Sequence, residues 1–120
     1  MSFVLAPRNE IKTRVALNIP GDFGKTEKAH IEVTWTRLPV SDKKAITEEF
    51  QAGTLNDEDA LDRLILNING CQTPEGEKIA YTSNLLIQLL EEDYIRKALV
   101  DEMMALLYGK EALEAIRRKN

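Results

Sequence analysis

Apolar and polar residues alternate along this chain with two different periods, and the change falls near residue 39. Ile11, Thr13, Val15, Leu17 and Ile19 share one face of an extended segment, and Lys12, Arg14, Ala16 and Asn18 share the other. Pro20-Gly21 stops the run, because proline cannot extend a ladder and glycine frees the turn. A second alternating run spans Ala29 to Arg37, with Ile31, Val33 and Trp35 on one face and His30, Glu32, Thr34 and Thr36 on the other. The two runs predict an antiparallel hairpin with one wet face and a loop of about eight residues through Gly24, Lys25 and Thr26. A two-stranded hairpin is marginal in water. This one must pack on the helices, pair with a third short strand such as Phe3–Leu5, or pair with another subunit. Its register with Ile31 and Val33 predicts that Trp35 is buried.

After Pro39 the period becomes helical. Ser41 suits an N-cap, and a first helix runs to about Ala52 with Ile46 and Phe50 on one face; Gly53 fits the left-handed position beyond its end. A second helix is capped by Asn56 or Asp57. Asp57, Glu58 and Asp59 fill its first turn, where negative charge offsets the helix dipole. Leu61, Leu64, Ile65 and Ile68 form an i, i+3, i+4, i+7 stripe that carries this helix to Gly70. Residues 71–82 read as a loop with a turn at Thr73-Pro74-Glu75-Gly76. Ser83 or Asn84 caps a third helix with Leu85, Leu86, Leu89 and Leu90 on its apolar face. Asp93 caps a fourth, whose apolar positions are Ile95, Ala98, Leu99, Met103, Leu106 and Leu107. That helix ends at Gly109 or continues through Leu113 and Ile116 to Arg117-Arg118-Lys119. The expected fold class is α+β: an N-terminal antiparallel β-hairpin, with three short strands as an option, followed by a four- to five-helix bundle. Residues 1–120 form one domain, with the hairpin in 1–38 and the helices in 40–120.

Composition agrees with a folded chain. The 120 residues are 43% hydrophobic and 30% charged, and a domain of that size supports a core without metals or disulfides. The net charge of -4 gives no basic footprint for nucleic acid or an anionic membrane surface. The one cysteine, Cys71, cannot form an internal disulfide, which fits a reducing compartment. No signal stretch opens the chain and no apolar run approaches a membrane span, so the cytoplasm is the expected location.

The candidate chemistry is sparse. Gly24-Lys25-Thr26 ends like a phosphate-binding loop, but Ile19 stands where the motif needs its first glycine and a strand pattern follows where it needs a helix. His30, the only histidine, falls on the wet face of the second strand without a nucleophile assigned to it. One cysteine and one histidine fall short of a zinc site. Asp57-Glu58-Asp59 and Glu91-Glu92-Asp93 lack the spacing and glycine of a calcium loop and read as helix-start charge. The expectation is no catalytic, cofactor or metal site, and a function in protein binding.

The stretch Leu61–Leu107 carries a pattern of its own. A helix ends in an apolar run and glycine, followed by a Gly turn in an acidic patch, Ala80-Tyr81, Ser83-Asn84-Leu85, a leucine-rich segment and a further helix. Upstream, the hairpin ends in Trp35-Thr36-Arg37-Leu38-Pro39. Gly76, Tyr81, Asn84 and Leu85 in this order resemble the tail assembly chaperones of long-tailed bacteriophages and prophages. Cys71 departs from the pattern, standing where those proteins usually have an aromatic. The resemblance implies a small α+β protein of the host cytoplasm, absent from the finished virion. It would shield the tape measure protein and help recruit tail tube subunits, in some relatives with a longer frameshifted form. Another phage tail connector, or a small helical adaptor or regulator, is the alternative. The resemblance carries over no active site.

The apolar supply of helices three and four exceeds what one packed face requires, and adjacent Met103 and Met104 offer adaptable side chains. Leu86, Leu90, Met103, Met104 and Leu107 are therefore the expected partner-binding residues, and the open hairpin edge adds an expectation of self-association.

Overall fold

The computed structural model describes Ser2, Phe3, Leu5 and residues 8–109. Two strands of eleven residues, β1 (Glu10–Pro20) and β2 (Thr26–Thr36), form the hairpin in unbroken antiparallel register from Glu10↔Thr36 to Pro20↔Thr26. The connection is shorter than the sequence suggested. Gly21–Lys25 close it, with a single 3-10 turn at Asp22–Gly24 and a 2.8 Å hydrogen bond from Gly21 N to Lys25 O. Strand pairing extends to the turn because Leu17, Asn18 and Ile19 continue the ladder opposite Ala29, Lys28 and Glu27.

Four helices follow: α1 (Val40–Ala52), α2 (Asp57–Leu64), α3 (Ser83–Leu90) and α4 (Asp93–Tyr108). Their ends follow local chemistry. Gly53 takes φ +75° at the end of α1 and donates to Phe50 O. Asn56 Oδ1 accepts from Asp59 N at 2.8 Å at the start of α2. Thr82, not Ser83 or Asn84, caps α3, its Oγ1 accepting from Leu85 N at 3.1 Å. α1 begins one residue before Ser41, directly after Pro39. The continuation of helix four through Leu113 and Ile116 lies outside the described residues.

The second predicted helix is corrected. α2 stops at Leu64, and Ile65–Asn69 form β3, which pairs antiparallel with β2 in a sheet of order β1-β2-β3. The register jumps between Thr34↔Asn67 and Trp35↔Ile65, leaving Leu66 as an extra residue in a bulge. The bulge explains the misleading stripe. In a regular strand Ile65 and Ile68 would face opposite sides, whereas one inserted residue brings both to the core. The third strand is therefore β3; Phe3 and Leu5 belong to no strand and are exposed, and Val4 between them lies outside the described residues.

One contiguous core joins the sheet to the helices. Val15 and Leu17 of β1, Ile31, Val33 and Trp35 of β2, and Ile65 and Ile68 of β3 supply the sheet face, and Leu61, Leu86, Leu99 and Met103 face it. α4 packs across β1 and touches α2 and α3. Trp35 is 1% exposed, as its register required. Polar ties sit at the margins of the core. Arg96 of α4 donates through Nε to Leu90 O at 3.1 Å and pairs with Glu58 of α2. Arg63 of α2 meets Glu49 of α1 at 2.8 Å, and Thr47 of α1 shares a 2.7 Å hydrogen bond with Tyr108 of α4. Among the described residues no helix is long and apolar enough to cross a membrane.

Candidate functional site: an apolar groove with a basic rim

Four of the five residues expected to bind a partner are in the core. Leu86, Leu90, Met103 and Leu107 are buried, and Met104 alone is partly exposed. The physical reason is demand. A three-stranded sheet presents a wider apolar face than a hairpin, and covering it consumes the surplus on α3 and α4. What α3 leaves over is Ile87, 60% exposed on its outer side.

The open apolar surface lies elsewhere, where three elements converge. The start of β1, the segment from the end of β2 into α1, and the last turns of α4 enclose a groove of about 760 Å³. Ile11, Leu38, Val40 and Leu106 give it apolar walls, and Trp35 and Met103 reach it from the core. Val40, the first residue of α1, is 68% exposed. The pairing of Glu10 with Thr36 brings both ends of the hairpin to this spot, and Arg37 N donates to Asn9 O at 3.0 Å to hold them there. Pro39 then turns the chain directly into α1. Among the described residues, the charged ones lining the groove are Arg8, Arg37 and Lys43, all cationic. Apolar walls with a basic rim fit an apolar side chain or helix face flanked by carboxylates. Sequence reading missed this groove because its walls are far apart along the chain. The signal present was Leu38-Pro39-Val40, apolar residues outside either periodic pattern.

His30 and Cys71 lie at the other side of the sheet. His30, exposed on β2 opposite Ala16, lines a polar cleft of about 360 Å³ with Glu32, Gly70, Cys71, Lys78 and others. Burial pushes the Cys71 thiol above its ordinary pKa, the opposite of the shift that makes a thiolate nucleophile. No group of three or more metal-ligating side chains occurs among the described residues. Gly24-Lys25-Thr26 is the end of the hairpin turn and the start of β2. Both acidic clusters lie at the starts of helices, α2 and α4. The loop after β3 folds into a small hairpin: Gln72 bridges Lys78, Thr73 N donates to Glu77 O at 2.8 Å, and Gly76 takes φ +86° in the turn. The Tyr81 hydroxyl is buried and has no hydrogen-bond partner among the described residues; burial first, and then the Asp62 carboxylate, push its pKa up.

No protein-family model, no curated protein and no solved structure matches this chain.

Proposed function

We propose that this chain acts by binding another protein, as a tail assembly chaperone of a long-tailed bacteriophage or prophage. In this reading it works in the host cytoplasm, holds segments of the tape measure protein and helps bring tail tube subunits to it. The observation that carries the binding half is the open apolar groove with its cationic rim. The phage half rests on the ordered Gly76, Tyr81, Asn84 and Leu85 pattern and on the Trp35-to-Pro39 segment. A tape measure protein is a long helical chain with apolar faces, liable to aggregate before a tube encloses it. An acidic amphipathic segment of such a chain suits walls made by Ile11, Val40 and Leu106 under Arg8, Arg37 and Lys43. Affinity for one segment is modest, and many copies along the chain give coverage.

The test is co-expression with the tape measure protein that this reading expects to be encoded beside the gene, followed by size exclusion. The expected result is a soluble complex that Val40→Asp abolishes and Ile87→Asp leaves intact. A tape measure protein equally insoluble with and without this chain overturns the function. A complex that survives Val40→Asp in folded protein overturns the groove as its surface.

A further inference from the structure

The tip of the hairpin carries an unusual residue. Phe23 sits between Asp22 and Gly24 at φ 59°, ψ 33°, in the left-handed region that non-glycine residues enter uncommonly. The residue is 99% exposed. The turn around it is held from both sides, by Gly21 N to Lys25 O at 2.8 Å and Lys25 N to Asp22 O at 3.1 Å. A Cβ on Gly21 would lie 3.1 Å from Lys25 O, so the closure is tight. The backbone is thus fixed in a form that holds an aromatic side chain out into water, where it adds nothing to the core.

The apolar groove lies at the opposite end of the same two strands. Ile11 lines it, while Pro20 adjoins the turn. Nine residue steps of extended chain run from Ile11 to Pro20, roughly 30 Å at about 3.3 Å per step. The continuous ladder prevents the hairpin from folding back, so a chain's own Phe23 does not reach its own groove.

We propose that the groove of one copy receives the hairpin tip of a second copy, with Phe23 as the inserted side chain. The chemistry matches on two counts. The walls are apolar, and the volume lies within the range of about 300–1,000 Å³ that takes a ring and its neighbours. The rim is cationic, and Asp22 stands directly before Phe23; Lys25 closes the same turn, and Glu27 and Lys28 follow in β2. The two surfaces are different patches at opposite ends, so the contact is head-to-tail. Each copy offers one tip and one groove, and copies add in series until geometry closes a ring. The groove holds one occupant at a time, so a hairpin tip and a partner segment exclude each other there, and the proposal does not depend on the identity of that partner.

The experiment is sedimentation velocity over a concentration series, with two variants made separately and then mixed. Phe23→Ser removes the inserted ring. Val40→Asp places a carboxylate on the groove wall, in a helix's first turn where negative charge is tolerated. Both positions are exposed, and thermal melts check that each variant folds. The wild-type chain is expected to associate, and each variant alone to do so about ten- to a hundredfold more weakly. The mixture separates this proposal from other modes of association. Val40→Asp keeps an intact tip and Phe23→Ser an intact groove, so equimolar mixing is expected to give a 1:1 pair and nothing larger. Wild-type protein that stays monomeric at high micromolar concentration overturns the proposal. So does Phe23→Ser associating like wild type, or two folded variants that fail to pair on mixing. Recovery of the 1:1 pair supports it even if the tape measure protein is not a partner.

Discussion

The indole Nε1 of Trp35 donates to Thr13 Oγ1 at 2.8 Å, joining β2 to β1 one diagonal away from the paired residues Ile11↔Trp35 and Thr13↔Val33. Thr13 thus satisfies the one polar atom of the largest fully buried side chain, at the place where the sheet, α4 and the groove meet. Trp35→Ala is expected to cost about 3–5 kcal/mol, the range for a large aromatic removed from a packed core. Thr13→Val keeps the shape but strands the indole N–H, and is expected to cost about 1–3 kcal/mol. Urea unfolding checks both, and the folded protein's Trp emission should be blue-shifted from that in water. Equal stability of Thr13→Val and wild type would show that the hydrogen bond is not part of the native state.

A second prediction concerns Tyr81, whose hydroxyl is buried without a partner among the described residues. Tyr81→Phe removes only that oxygen, so stability at neutral pH should be unchanged or should rise by up to about 1 kcal/mol. A clear drop in melting temperature would mean that the hydroxyl is bonded in solution.

Alkaline pH supplies a third. Burial raises the pKa of Cys71, and burial with the Asp62 carboxylate raises that of Tyr81. Each group holds its proton longer when folded than when unfolded. Between the two pKa values the unfolded chain binds fewer protons, so stability is full below the ordinary thiol and phenol ranges and falls as pH rises through them. Cys71→Ser with Tyr81→Phe should flatten this decline in melts taken across alkaline pH. A decline of the same steepness in the double variant would assign it to other groups.

His30 and Cys71 share the polar cleft, yet the thiol is shifted away from reactivity. His30→Gln with Cys71→Ser is therefore expected to leave fold and partner binding intact. A tenfold or greater loss of binding in folded double variant, on the order of 1.4 kcal/mol, would reveal a role for that cleft.

The hairpin was legible because its alternation is unbroken from Ile11 to Ile19 and from Ile31 to Trp35, and period two has one simple meaning at that length. β3 was not. Ile65 and Ile68 are three apart, a helical interval, and only the bulge at Leu66 makes that interval serve a strand. Nothing local announces the bulge; pairing with β2, more than thirty residues earlier, selects it. Strand-favouring Ile65 and Ile68, with Asn67, Asn69 and Gly70 beside them, were the available hint. The burial of Leu86, Leu90, Met103 and Leu107 was not legible for a related reason. Counting apolar residues on α3 and α4 measures supply, while exposure depends on demand, and demand rose with the third strand. Leu86 and Leu90 were consumed by it, and Ile87 was left outside. The groove walls at Ile11, Val40 and Leu106 become neighbours only on folding.

The junction between α2 and β3 contains no linker: Leu64 ends the helix, Ile65 begins the strand, and Ile65 N still donates to Leu61 O. The two elements therefore share one phase. Adding a single residue there would turn the helix by about 100° relative to the strand and exchange the strand's faces. Leu61 and Ile68 could not then both point inward. The loop around Gly76, by contrast, is closed by the Gln72↔Lys78 bridge ahead of the Thr82 cap, with open space beside that glycine. Length variation among descendants of this sequence is thus channelled to residues 73–77, while the Leu64-Ile65 peptide tolerates none. A one-residue insertion scan across 60–80, read by soluble yield, would draw that boundary.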